Sequence, residues 1–245
     1  AYARWNPQEP DRSRYVDEDL NRVWADETLF GSRDSVELRR ARELQPFVDA
    51  ADLLLDVHSM SDACKALMVC GATARGGEKG AALSRQLAVP EVLLIDTGHP
   101  AGLRMIERGG FGDPDSPRTA VLIECGQHWE RGAEAVAVDT VLRFLGHCGV
   151  VPMPFVHQHL QRIARVPAAR QQLVRVTEAV VARSADFRFV RKFHGLQVLD
   201  KAGEPIATDG AHTIRSPYDH TVLVVPATAR LKIGTAMVRL GRLES

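Results

Sequence analysis

The sequence predicts an α/β fold: a mixed, largely parallel sheet flanked by helices, with a small β-rich C-terminal domain. Three observations carry this expectation. The runs LLLDV (53–57), EVLLID (91–96) and TAVLIEC (119–125) are almost uniformly apolar where a half-exposed strand would alternate. Such runs belong to strands covered on both faces. Segments of helical character separate them, the order expected of a sheet packed between helices. After Val151 the helical segments nearly cease, and short strand-like runs follow one another with turn signals between them.

Taken in order, residues 1–32 read as loop and short turns, rich in Pro, Asp and Arg. SVELRRARELQPFVDAA reads as a helix with Ser35 as its N-cap. The strand 53–57 follows and ends on His58. ALMVC (66–70) is a further short strand, GAALSRQLAV a helix, and 91–96 a buried strand. A loop rich in Gly and Pro spans 97–117, the strand 119–125 carries Glu124 near its end, and 131–147 reads as a helix. VPMPFV reads as a linker, which divides the chain into an α/β domain, 1–153, and a β-rich domain, 154–245. In the second, a short helix is expected around 157–165. Strands are expected in QQLVRVTEAVVAR, FRFV, LQVLD, HTIRS, TVLVVP and LKIGTAMVRL, with turns at DKAGE and at 208–210.

Composition narrows the function. With 245 residues, 45% of them hydrophobic, the chain can bury a full core without disulfides or metal staples. Net charge is zero and no long basic run occurs, so nucleic-acid and membrane-surface binding have no electrostatic basis. Cys64, Cys70, Cys125 and Cys148 lack metal-ribbon or CxxC spacing, which fits a reduced, cytoplasmic protein. No signal peptide pattern and no apolar run of membrane-spanning length is visible. The chain opens on AYARWNPQEP rather than Met, so a natural start upstream is expected.

Ligands of open α/β sheets bind at the carboxyl ends of strands, which puts His58 and Glu124 first among the candidates. A Glu closing an apolar strand needs a partner or a raised pKa. The most unusual stretch is RYVDEDLNR (14–22), three carboxylates between two arginines with an Asn-Arg ending. Arginine grips a carboxylate through a planar fork, and Asn adds a neutral donor and acceptor. The loop therefore suits a clamp for an acidic substrate. The plain alternative is a solvated loop whose acids and arginines pair with one another.

The order Arg14-Tyr15-Val16-Asp17-Glu18-Asp19-Leu20-Asn21-Arg22, then Asp56-Val57-His58, then Ile123-Glu124-Cys125-Gly126-Gln127 resembles the succinylglutamate desuccinylase/aspartoacylase family. The fold of that family is zinc carboxypeptidase-like, and the resemblance covers most of residues 4–130. It implies zinc as cofactor, with His58 a ligand, Asp56 orienting the site and Glu124 the general base on zinc-bound water. It implies that Arg14 polarises the scissile carbonyl while Asn21 and Arg22 bind the substrate carboxylate. Tyr218 is the tyrosine of the C-terminal domain that could complete the pocket. A second acid-binding arginine is expected among Arg104, Arg108 and Arg118, and His128 either lines the cleft or is structural. The implied activity is zinc-dependent hydrolysis of the amide bond of a small, anionic N-acyl amino acid. Homo-oligomerisation stays open.

The family draws two further zinc ligands from an HxxE motif upstream of the loop. No HxxE precedes Arg14, and His128 and Glu130 have the wrong spacing. The expectation is that the motif lies upstream of Ala1. The alternative is a relative that has lost its metal and keeps the clamp as a binder of an anionic metabolite. A carboxypeptidase-like peptidase on the same scaffold, and a cysteine hydrolase using Cys125 with His128, are the other readings.

Overall fold

The apolar runs become the inner strands of one sheet. A computed structural model of the chain describes residues 15–163, 170–227, 231 and 233–244. β1 (Leu53–Met60) lies parallel to β4 (Thr119–Gln127), and β2 (Leu67–Ala72) parallel to β3 (Val92–Asp96). The link between these pairs is antiparallel, β2 against β4. Both β2 and β3 are buried along their whole length, as two-sided cover requires. β1 is only half-buried because, among the described residues, it forms one edge of the sheet.

The helices are α1 (Asp26–Leu29), α2 (Val36–Ala50), α3 (Gly77–Leu87), α4 (Arg131–His147) and α5 (Met153–Leu160). Strand alternation sorts the side chains between two cores. Val121, Ile123 and Cys125 of β4 join Met68, Leu93, Leu83 and Phe144 on the face covered by α3 and α4. Ala120 and Leu122 join Leu38, Leu94, Ile106 and Phe111 on the opposite face, under α2 and the loop after β3. Glu124 continues this second series.

The VPMPFV segment differs from expectation. It starts a helix, α5, rather than serving as a linker, because prolines are tolerated in the first turn, where no N–H bond is needed. The last residues of the helix expected at 157–165 fall outside the described ones. Beyond α5 come β5 (Gln172–Val181), β6 (Arg188–Phe189), β7 (Gln197–Leu199), β8 (Pro205–Asp209), β9 (His212–Arg215), β10 (Thr221–Val224) and β11 (Ala236–Glu244). β5 pairs parallel to β3, and β11, β10 and β7 follow antiparallel. The sheet order is therefore β1-β4-β2-β3-β5-β11-β10-β7, with β6-β8-β9 a small separate sheet. The expected division at 153/154 falls where α5 begins, and the central sheet runs across it. The architecture is the mixed, largely parallel sheet with a small antiparallel C-terminal part. β8 escaped the sequence reading because PIATD is short and opens on proline. No helix among the described residues is long and apolar enough to cross a membrane.

Candidate active site

The acids of the 14–22 loop act first on the backbone. Asp17 Oδ2 accepts from the Val36 N–H at 2.8 Å, and Glu18 Oε1 accepts from the Ser35 hydroxyl at 2.6 Å. Ser35 in turn accepts from Leu38 N at 3.0 Å. Two carboxylates of the loop thus serve the amino end of α2, where N–H groups have no helical partner and negative charge is favoured. Glu37 on α2 returns the contact, accepting from the N–H groups of Val16, Asp17 and Glu18 at 2.7, 3.1 and 3.3 Å. Burial alone would raise the Glu37 carboxyl, but these N–H groups outweigh it and hold it below the ordinary value. Asp19 caps the 3-10 turn Leu20–Arg22 by accepting from Asn21 N at 2.9 Å.

This frame sets Asn21 and Arg22. Asn21 is buried, its Oδ1 accepting from Met105 N at 2.9 Å and its Nδ2 donating to Asp56 Oδ2 at 3.3 Å. Arg22 donates to the Asn21 carbonyl at 2.5 Å and lies 3.8 Å from Asp19. Loop 97–103 backs this turn closely. Gly102 has φ +145°, and a Cβ there would sit 2.0 Å from the Arg22 carbonyl oxygen, so only glycine fits.

Asp56 and His58 are two apart on β1 and so share a face. Their side chains meet, Asp56 Oδ1 accepting from His58 Nε2 at 2.9 Å. His58 stands opposite Glu124 in the β1–β4 register. Asn21, Asp56, His58 and Glu124 therefore form one group on one face, at the carboxyl ends of two parallel strands.

Other expected residues lie elsewhere. Arg14 is outside the described residues. Tyr218 is not drawn into the group: its hydroxyl bonds Thr177 at 2.7 Å and its ring lies under Arg242. His128 does reach the end of β1, its backbone N donating to Met60 O at 2.9 Å and its ring bonding Ser59 at 2.7 Å. The Cys125 thiol is buried and pushed up to about 11, chiefly by burial and then by Glu124. Cys125 packs into the core under α3 and α4, while the His128 ring bonds Ser59 and Ser61, so the pair lacks the contact that activates a thiol.

The three candidate arginines are bound within the scaffold. Arg104 is buried with two bonds to Asp96, both at 2.8 Å, and two to Glu107, at 3.1 and 2.7 Å. Burial opposes ionisation of Asp96, but Arg104 outweighs it and holds the carboxyl below its usual value. Arg108 joins Asp26 and Asp49, both at 2.7 Å. Arg118 donates to the Ala51 carbonyl at 2.8 Å and to the Val48 and Asp49 carbonyls, satisfying the carboxyl end of α2. Sequence spacing could not separate these roles, because each depends on which carboxylate or carbonyl the fold brings near.

Zinc finds an incomplete set here. The Asp56–His58 pair has the form of a ligand histidine oriented by a carboxylate, and Nδ1 is then the nitrogen through which His58 would ligate. Among the described residues, however, no group of three His, Cys, Asp or Glu could hold a metal ion, whereas catalytic zinc takes three protein ligands. These residues by themselves do not make a zinc centre.

The fold is that of solved succinylglutamate desuccinylase and aminoacylase structures. The chain is similar to the succinylglutamate desuccinylase of Vibrio parahaemolyticus, with TM-score 0.65 at 16% identity over 96% of this chain and 69% of that one. It is also similar to the Vibrio cholerae desuccinylase, with TM-score 0.60 at 17% identity over 96% and 68%. Murine aminoacylase 3 gives TM-score 0.60 at 18% identity over 98% and 82%. No family model matches the chain, and no curated protein matches it in sequence.

Proposed function

We propose that this protein is a deacylase that hydrolyses the amide bond of a small, anionic N-acyl amino acid. The observation that carries the reading is the placement of Glu124 opposite His58, with the Asn21–Arg22 turn tied to Asp56, in a fold shared with desuccinylases and an aminoacylase. Glu124 is the general base. It takes a proton from the attacking water and returns it to the nitrogen of the leaving amine. Arg22 holds the substrate carboxylate, and Asn21 fixes the turn that aims it. Arg14 carries over as the group that polarises the scissile carbonyl. Zinc belongs to this proposal, with His58 as the ligand the described residues offer, and when bound it would supply a water of lowered pKa.

The test is hydrolysis of a panel of N-succinyl, N-acetyl and N-aspartyl substrates by the full natural protein, together with its zinc content. Turnover that falls on Arg22→Lys mainly through a KM raised about tenfold, the bidentate grip being lost, supports the reading. A protein that binds such acids but turns none over is the anionic-metabolite binder instead. Cleavage of C-terminal residues from peptides would make it a carboxypeptidase.

A further inference from the structure

A cavity of about 730 Å³ opens where β2 and β3 end, lined by Ala72, His99, Ala179 and Arg239 and rimmed by Arg75. Its size is that of a small-molecule site. Asn21, Arg22, His58 and Glu124 do not line it, although Gly102 and Leu103, which back the Arg22 turn, do. Strand direction sets it apart from Glu124. β2 runs antiparallel to β4 with Leu67 facing Glu124, so Ala72, at the far end of β2, lies ~17 Å along the strands at ~3.3 Å per residue.

Arg239 makes this cavity unusual. It sits on β11 opposite Ala179 of β5, and its Nε is buried with no hydrogen-bond partner among the described residues. Asp96, Arg104 and Glu107 act on it electrostatically, but both carboxylates are already bonded by Arg104. A buried guanidinium N–H without an acceptor is costly unless something supplies one. The second donor is His99. Its Nδ1 accepts from Ala101 N at 3.1 Å, so in the neutral ring the proton is on Nε2. Burial first, then Arg22, Arg239 and Arg104, pull His99 down to about 4, so the ring is neutral at pH 7. Arg75 at the rim is exposed and adds a cation.

We infer that this cavity is a second binding site, which takes a small organic carboxylate on Arg239 and His99. A carboxylate meets a guanidinium through two parallel bonds. Inorganic phosphate, of similar charge to succinate but tetrahedral, tests whether the site reads a planar carboxylate or charge alone.

The experiment is calorimetric titration of the full protein with succinate at fixed ionic strength, alongside inorganic phosphate. Succinate should bind saturably to wild type and to Arg22→Ala, and at least tenfold more weakly to Arg239→Gln. Ala179→Leu places bulk into the cavity from an exposed strand position, and should weaken succinate similarly even if Arg239→Gln does not fold. Binding that Arg22→Ala abolishes and Arg239→Gln or Ala179→Leu leaves intact would return the ligand to the clamp and overturn the inference. So would phosphate binding as tight as succinate, or no saturable succinate binding to wild type.

Discussion

The two ends of the central sheet hold buried charge in different ways. Where β2 and β3 end, Arg104 saturates Asp96 and Glu107, and among the described residues the Nε of its neighbour Arg239 has no acceptor. Where β1 and β4 end, Asp56 is shared between Asn21 and His58, and the histidine faces Glu124. The first end contains a closed ionic cluster beside an open cation. The second is a chain of polar contacts that runs from the Asn21–Arg22 turn to His58, opposite Glu124. The difference teaches that a buried charge with a full set of partners is scaffold. Burial alone does not mark a functional residue; what the group still lacks does.

Mutations can break or sharpen this contrast. The largest effect belongs to Glu124→Gln, which keeps the shape and removes the carboxylate. Turnover should fall ~10²–10⁴-fold with an unchanged thermal midpoint, and an undiminished rate would remove Glu124 from the mechanism. Arg104→Ala should act on stability instead, by about 3–5 kcal/mol, because it strands two buried carboxylates. Denaturant unfolding measures this, and a loss below about 1 kcal/mol would mean the cluster is not scaffold. Glu37→Gln should cost about 1–2 kcal/mol, since a neutral amide accepts the three loop N–H groups less strongly. It should also speed proteolysis within 15–22, and unchanged cleavage there would separate Glu37 from the clamp.

The smallest effect is a pH dependence. His99 binds its proton at about 4 in the folded chain against an ordinary 6.5, so between these values the unfolded chain holds more protons. Stability then rises with pH across that window and is level above it, by ~1 kcal/mol once solvent screening is allowed for. His99→Phe should flatten this slope in unfolding curves collected from pH 4 to 8. A slope that persists would assign it to other groups.

Much of this was legible in the chain. The apolar runs 53–57, 91–96 and 119–125 are strands, and 35–51 is a helix capped by Ser35. Asp56 and His58 share a face by spacing alone. The acid-rich loop was legible as a cluster but not as a set of jobs. Asp17 and Glu18 serve α2, and their partners lie 19 and 17 residues away, beyond any local pattern. The short strand β8 and the early start of α5 were missed where proline masked the element.

Arg239 gave no signal at all, since an arginine in MVRL reads as the polar residue of an alternating strand. Its position was decided when β5 joined β3 and brought β11 beside it. The sequence by itself determined the strands, the main helices and the order of the polar motifs, because hydrophobic periodicity and capping act within a few residues. The tertiary structure alone decided which arginines are scaffold and which one stays open, because ion pairing depends on strand order and direction, which no short stretch of the chain encodes.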